Sequence, residues 1–237
     1  MSDASLVVQR PTTQASQLVL LFHGFGSTPS NMAGVGRQIA AIDAKAFVVS
    51  VAAPYRSDLG QGLQWISVTG LTEGNRPERV AAALPLFVET IRRWQSDANV
   101  PPEATTLIGF SQGAIMALES AAGGGSAIAA RVIAVSGRFA RLPELMASGV
   151  TVHLVHGDED TVMVPAHSIE ALAHLAKAGV PTSIDVVPGL GHGIDGRVLG
   201  HILNRVPARR ACLDQPSEQP NPARGVARPP VAPSLPR

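Results

Sequence analysis

Residues 105–120, TTLIGFSQGAIMALES, place a single serine between two glycines, after a hydrophobic run and before a segment with helical spacing. Gly109 and Gly113 stand two residues before and two residues after Ser111. A strand that turns sharply into a helix needs small residues at these positions, and the residue at the apex has a strained backbone. The stretch predicts a strand–turn–helix unit that displays Ser111 as a nucleophile; the alternative is a serine that only caps the helix.

Short hydrophobic runs alternate with longer segments along the rest of the chain. Most runs are continuously apolar, which is typical of parallel strands buried on both faces. The predicted strands cover residues 17–22, 46–52, 105–110, 131–136, 151–156 and 182–187. The alternation predicts an α/β fold with a mostly parallel central sheet and helices on both faces.

The segments between the runs are predicted to be helices. Hydrophobic residues recur every three or four positions over residues 80–94, and a last helix is expected over residues 197–205. Ile169, Leu172 and Leu175 have the spacing of one buried helix face.

The chain of 237 residues is expected to form one domain over residues 1–213. Residues 214–237 contain seven prolines in 24 positions and almost no large apolar side chains. Such a segment cannot bury a core, so it is predicted to be a disordered, proline-rich tail.

Composition excludes several classes of function. Nineteen basic and eighteen acidic residues give a formal charge of +1, which argues against a nucleic-acid-binding protein. The single cysteine, Cys212, excludes an internal disulfide. No secretory signal is visible, and no run approaches the roughly 18 apolar residues of a membrane helix. We therefore expect a cytoplasmic protein without stable membrane association.

A serine becomes a good nucleophile only when a base takes its proton and a third group orients that base. In an α/β fold with this strand–turn–helix unit, the orienting acid follows Ser111 in the sequence and the histidine base follows the acid. Both lie in loops after later strands. Asp158 and Asp160 both follow the predicted strand 151–156, and spacing alone does not choose between them. His192, between two glycines, follows the next predicted strand and is the candidate base.

A metal site is the alternative interpretation of the acidic loop. His156, Asp158 and Asp160 lie close together in sequence, but no further ligands gather near them. We therefore expect neither a metal ion nor another cofactor.

Attack of a serine on a carbonyl carbon also needs two backbone N–H groups that stabilise the charge developing on the carbonyl oxygen. The residue after the nucleophile, Gln112, is expected to supply one of them, so its side chain is expected to tolerate change. The second N–H is expected from the loop HGFG at residues 23–26. His23 precedes Ser111, which is the wrong order for a catalytic base, so we expect it to hold this loop through hydrogen bonds.

Four motifs in this order, LFHGFG, GFSQGA, HGDEDTVMVP and GLGHGID, resemble the phospholipase/carboxylesterase family of α/β hydrolases. That family includes acyl-protein thioesterases and small bacterial esterases. The likeness covers roughly residues 6–206, and LQWISVTGLTEGNRPERVAAALP is especially similar to the compact bacterial esterases. The resemblance implies an α/β-hydrolase fold, with Asp160 as the catalytic acid, His192 as the base and the Phe25 N–H as the second oxyanion donor.

The resemblance also implies a substrate-binding pair near the mouth of the site. The family carries a tryptophan followed by an aromatic residue, which corresponds here to Trp65 and Ile66. Because Ile66 stands where phenylalanine is common, the acyl-chain preference of relatives does not carry over. Trp65 could equally be a core residue.

These observations predict a serine carboxylesterase whose substrates are small-molecule esters with short to medium acyl chains. Hydrolysis is expected to proceed through an acyl-enzyme intermediate. The absence of a long lid or a strongly apolar insertion favours short, soluble esters. A monomer or weak homodimer is expected. The alternatives are an acyl-protein thioesterase, a lysophospholipase, and an inactive hydrolase fold that serves as a binding module.

Overall fold

The computed structural model describes residues 4–206. The strands are β1 (Leu6–Gln9), β2 (Gln17–Phe22), β3 (Ala46–Val51), β4 (Tyr55–Arg56), β5 (Leu63–Gln64), β6 (Thr105–Phe110), β7 (Arg131–Val135), β8 (Thr151–Gly157) and β9 (Thr182–Val187). The helices are α1 (Pro29–Ile42), α2 (Arg76–Ala98), α3 (Gln112–Ser120), α4 (Ala166–Lys177) and α5 (Gly196–Arg205). Cys212 and the predicted tail, residues 214–237, lie outside the described residues.

The central sheet has the strand order β1-β3-β2-β6-β7-β8-β9. All neighbouring strands are parallel except β1, which pairs antiparallel with β3. The central strand β2 is buried at all six positions, as its continuous apolar run predicts. The predicted bounds of β2, β6 and β9 are correct, and those of β3, β7 and β8 differ by one residue at one end. The α/β fold with a mostly parallel sheet is confirmed.

Helices cover both faces of this sheet, as predicted. One hydrophobic cluster joins the sheet to α2, α3 and α4, and a second joins its other face to α1 and α5. The predicted helices over residues 80–94 and 197–205 lie within α2 and α5. Within residues 4–206, none of the helices is long and apolar enough to cross a bilayer.

The buried face of α4 differs from the predicted one. Leu175 is fully buried, but Ile169 is 53% exposed, so its placement on the buried face was wrong. Ser168 and Ala171 take the inner positions instead. The reason is a polar contact: the Ser168 hydroxyl lies 2.7 Å from Nδ1 of His156, a buried histidine of β8. A serine with such a partner can occupy a buried position.

Three short strands were not predicted. β1 lies at the edge of the sheet and is partly exposed, and β4 and β5 are two residues long each. Strands this short or this exposed carry no hydrophobic period in the sequence.

Acid sensitivity of the fold is expected to come in part from His153 on β8. Its Nδ1 lies 2.7 Å from the Ser183 hydroxyl on β9. Burial, and then the charges of Arg205 and Arg131, lower the pKa of His153 to about 4, while Asp185 raises it slightly. On acidification, His153 of the unfolded chain therefore binds a proton at a higher pH than His153 of the folded chain. The contribution of neutral His153 to the free energy of unfolding is lost as the pH falls from 6.5 toward 4.

We therefore expect His153→Gln to lose less stability on acidification than the unmodified protein. The measurement is the thermal unfolding temperature of both proteins at several pH values between neutral and weakly acidic. Equal pH dependence of the two unfolding temperatures would contradict this assignment.

Candidate active site

Ser111 lies in the tight turn between β6 and α3. Its φ of 53° and ψ of −117° lie outside the regions that residues with a side chain normally adopt. Its own N–H donates to the carbonyl of Val135, at the end of the neighbouring strand β7, at 2.9 Å. Strain of this kind persists only where the surrounding structure enforces it. The strand–turn–helix unit predicted around Ser111 is present.

The two glycines of the turn are required by close approaches between backbone segments. A Cβ on Gly113 would collide with the carbonyl oxygens of Phe22 and His23, at the end of β2. A Cβ on Gly109 would collide with the backbone of Gly113 and Ala114. Because these contacts involve backbone rather than flexible side chains, α3 can start directly above β6 only when both positions are glycine.

Ser111, His192 and Asp160 form a hydrogen-bonded line at the carboxyl ends of the parallel strands. Ser111 Oγ lies 2.9 Å from His192 Nε2, and His192 Nδ1 lies 2.7 Å from Asp160 Oδ2. An ionised carboxylate only accepts, so Nδ1 carries the proton and Nε2 accepts from the Ser111 hydroxyl. Asp158, which spacing left open, faces elsewhere: its Oδ1 accepts from the Gly189 N–H at 2.7 Å.

The carboxylate of Asp160 is held by backbone as well as by the imidazole. Its Oδ1 accepts from the Val162 N–H at 2.9 Å and from the Met163 N–H at 2.8 Å. Burial alone would raise the pKa of Asp160, but these hydrogen bonds and that from His192 hold the pKa below its usual range. Oδ1 thus accepts hydrogen bonds from the loop backbone and Oδ2 accepts one from His192. The carboxyl group is ionised at neutral pH.

His156 supports the loop beneath Asp160. Its Nε2 lies 2.5 Å from the Met163 carbonyl and 3.3 Å from Asp160 Oδ2, and its Nδ1 lies 2.7 Å from the Ser168 hydroxyl. Because a carbonyl can only accept, Nε2 carries the proton and Nδ1 accepts from Ser168. Burial lowers the pKa of His156, so the ring is neutral.

The hydrogen bonds of His156 bear on the alternative of a metal site. Both ring nitrogens already have protein partners, so neither presents a free lone pair. Over residues 4–206 no group of three or more histidine, cysteine, aspartate or glutamate side chains could hold a metal ion.

Two backbone N–H groups near this line have no hydrogen-bond acceptor in the part of the chain that the structure describes. Among the described residues, neither Phe25 N nor Gln112 N has a hydrogen-bond acceptor, whereas Gly26 N donates to the Leu63 carbonyl at 2.9 Å. Gln112 is the first residue of α3, where an N–H has no partner within the helix and the helix dipole is positive. Both groups are therefore available to an external oxygen.

His23 holds the loop that carries Phe25. Its Nε2 accepts from the Ala53 N–H at 3.2 Å, so Nδ1 carries the proton that points to the Gly24 carbonyl at 2.7 Å. Burial lowers the pKa of His23 and keeps the ring neutral. The expected role of His23 in holding the loop through hydrogen bonds is confirmed.

Trp65 and Ile66 are buried, at 2% and 4% exposure. The Trp65 Nε1–H donates to the His23 carbonyl at 2.9 Å, and its ring packs edge-on against Phe22 and Phe87. Trp65 and Ile66 also line an open cleft of about 500 Å³, whose other walls come from Tyr55 of β4, from α2 and from the segment that follows Ile66. Trp65 is thus a core residue that also contributes to a cleft.

The sequence did not predict the contacts that the side chains of Gln112 and Phe110 make. Gln112 is 5% exposed, and its amide forms hydrogen bonds with the backbone of Trp65 and Ile66, contacts that the expectation of a change-tolerant side chain did not include. The Phe110 ring packs on the His192 imidazole with 5.0 Å between centroids. Neither contact leaves a local signal, because each joins segments far apart in sequence.

The sequence profile of the phospholipase/carboxylesterase family matches residues 3–208 of the chain. The chain belongs to this family. As a member of the phospholipase/carboxylesterase family it is a hydrolase that acts on ester bonds. The resemblance drawn from the four motifs is confirmed.

Three known proteins are similar over most of the chain. Esterase YpfH of Escherichia coli (strain K12) is 46% identical over 206 residues, which are 87% of this chain and 88% of that protein. The crystal structure of esterase PE8 has a TM-score of 0.76 at 26% identity, over 86% of this chain and 96% of that one. The Bacillus cereus carboxylesterase, with a TM-score of 0.70 at 16% identity over 84% and 91% of the two chains, shares the fold.

Proposed function

We propose that this chain is a serine carboxylesterase that hydrolyses short- to medium-chain acyl esters through an acyl-enzyme on Ser111. The observation that carries the proposal is the line from Ser111 Oγ through the His192 ring to Asp160, with contacts of 2.9 and 2.7 Å. The similarity to esterase YpfH, 46% identical, supports an ester as the substrate.

In the proposed first half-reaction Ser111 Oγ attacks the ester carbonyl carbon while His192 Nε2 takes its proton. Asp160 keeps the proton on Nδ1 and stabilises the imidazolium that forms. The imidazolium then protonates the leaving alcohol oxygen as the ester C–O bond breaks. In the second half-reaction His192 Nε2 deprotonates a water molecule, which attacks the acyl carbon. The imidazolium then returns the proton to Ser111 Oγ as the acyl C–O bond breaks and the carboxylic acid leaves.

The tetrahedral intermediate places a negative charge on the former carbonyl oxygen. We assign its stabilisation to the N–H groups of Gln112 and Phe25, which have no competing acceptor within residues 4–206. Donors that are already oriented stabilise the transition state without reorganisation, which makes such a pair a large contribution to rate.

The proposed preference for short acyl groups comes from the sequence, which shows no long lid or strongly apolar insertion, and the cleft lined by Trp65 and Ile66 has one firmly held wall. Asp58 Oδ2 accepts from the Ser67 hydroxyl at 2.7 Å, from Val68 N at 2.8 Å and from Thr69 N at 3.1 Å. The Arg79 guanidinium donates to the Thr69 carbonyl at 2.7 Å. A wall with this many hydrogen bonds is preformed, which favours substrates that fit without displacing it.

A series of p-nitrophenyl esters from acetate to palmitate tests the substrate class. We expect kcat/KM to be highest for short or medium acyl chains and to fall about tenfold or more at palmitate. A kcat/KM that rises to palmitate would instead support a lysophospholipase. The same assay with a butyryl oxygen ester and the matching butyryl thioester tests the other alternative. A much higher kcat/KM for the thioester would support a thioesterase.

Covalent labelling separates an enzyme from an inactive binding module. A fluorophosphonate should attach to the peptide that contains Ser111 and abolish ester hydrolysis in proportion to the labelled fraction. An unlabelled protein without ester hydrolysis would overturn the proposal. The oligomeric state and the cytoplasmic location stay predictions from the sequence.

A further inference from the structure

The side chain of Gln112 joins the turn of Ser111 to the segment of Trp65 and Ile66. Its Oε1 accepts from Trp65 N at 2.7 Å and from Ile66 N at 3.4 Å, and its Nε2 donates to the Ile66 carbonyl at 2.9 Å. We propose that this amide is a positioning residue for ester hydrolysis, which couples the cleft wall to the oxyanion-binding N–H of Gln112 itself. The inference rests on the proposed function.

The segment depends on this one amide. Among the described residues, the N–H groups of Trp65 and Ile66 and the Ile66 carbonyl have Gln112 as their only hydrogen-bond partner. The amide thus replaces the neighbouring strand that this stretch lacks. Because the region is buried, removing the amide would leave three backbone groups without a partner, which is unfavourable.

The same contacts constrain the main chain of Gln112. The direction of its N–H is set by ψ of Ser111, which is −117° next to a φ of 53°. This strained conformation persists only under restraint. The Ser111 carbonyl, which shares a peptide plane with the Gln112 N–H, accepts from Ala114 N at 3.0 Å and from Ile115 N at 3.1 Å. The side-chain amide, bound at Ile66, adds a further restraint on the main chain of Gln112. Loss of the amide is therefore expected to loosen the cleft wall and to remove one of the restraints on an oxyanion donor.

Gln112→Leu tests the coupling, because leucine has a similar size and makes none of the three hydrogen bonds. With p-nitrophenyl acetate we expect kcat to fall about 10- to 100-fold, somewhat less than the loss of a whole oxyanion donor. KM for longer acyl esters should rise as well, because Trp65 and Ile66 line the cleft. Circular dichroism and the unfolding temperature establish that the variant is folded under assay conditions.

Gln95→Leu is the matched control. Gln95 is also a buried glutamine, and it donates to Thr105 Oγ1 at 3.0 Å and to the Ile128 carbonyl at 2.7 Å. Thr105 is the first residue of β6, at the opposite end of the strand from Ser111. We expect this variant to lose comparable thermal stability while kcat stays unchanged. An equal loss of kcat in both variants would overturn the inference.

Gln112→Glu supplies a readout that a general loss of stability would not produce. A protonated carboxyl can accept from Trp65 N and donate to the Ile66 carbonyl, whereas an ionised carboxylate cannot donate. Burial without a nearby cation raises the pKa of such a group. The ratio of the kcat of Gln112→Glu to that of the unmodified enzyme should therefore rise as the pH is lowered. The corresponding kcat ratio for Gln112→Leu should not change with pH.

The outcomes separate this inference from the proposed function. If ester hydrolysis survives Ser111→Ala, the proposed function fails. If Ser111→Ala is inactive while folded Gln112→Leu keeps full kcat, only the positioning role fails. Should Gln112→Leu not fold, a pH-independent ratio for Gln112→Glu would still contradict the positioning role.

Discussion

Replacement of Ser111 by alanine is expected to lower kcat for a soluble acyl ester by about a million-fold, the loss typical of a removed serine nucleophile. In the proposed mechanism its Oγ is the atom that forms the acyl-enzyme. Within residues 4–206 the hydroxyl makes one hydrogen bond, to His192, so the fold should be little affected. What activity remains would come from the oxyanion donors and from substrate binding.

Steady-state hydrolysis of p-nitrophenyl acetate and fluorophosphonate labelling measure this effect on the same samples. Ser120→Ala is the matched control, since Ser120 ends α3 and its hydroxyl donates to the Ala117 carbonyl at 2.8 Å. This control should keep both kcat and labelling. Activity of Ser111→Ala within about tenfold of the unmodified enzyme would rule out the acyl-enzyme mechanism, because no other group could replace the nucleophile at that rate.

Asp160→Asn is expected to lower kcat about 10⁴-fold without displacing the loop. The amide oxygen should take the place of Oδ1, because Val162 N and Met163 N both donate to that position. The NH₂ group would then face His192 Nδ1 at the place of Oδ2 and donate to it. The ring proton would move to Nε2, which could no longer accept the proton of Ser111.

Asp158→Asn is the control for this prediction, two residues away in the same loop. Asparagine can still accept from the Gly189 N–H, so both the loop and kcat should be unchanged. The measurement is kcat for both variants, with the unfolding temperature as a check on folding. If Asp158→Asn caused the larger loss of kcat, the assignment of Asp160 as the orienting acid would be wrong.

Gln112 illustrates a limit of motif reasoning. The motif assigns one task to the residue after the nucleophile, a backbone N–H, and on that basis alone its side chain is expected to tolerate change. The side chain is instead the hydrogen-bond partner of a segment 46 residues away along the chain. Motif position identifies the residue but not the partners that the fold brings to it.

Features that depend on neighbours in the chain followed from the sequence alone. The buried strands were recognisable because parallel strands covered on both faces require continuous apolar runs. The turn at Ser111 was recognisable because Gly109 and Gly113 allow backbone approaches that a Cβ would block. The order of the serine, the acidic loop and His192 along the chain reduced the candidate catalytic residues to a few positions.

Only the tertiary structure decided which groups meet. Asp158 and Asp160 share a loop and a side-chain type, yet one faces Gly189 and the other faces His192. Ser168 rather than Ile169 is buried on α4 because the imidazole of His156 lies opposite it. The physical reason is the same in each case: hydrophobic patterns and backbone sterics are local, whereas a polar side chain takes its orientation from partners that only folding brings near.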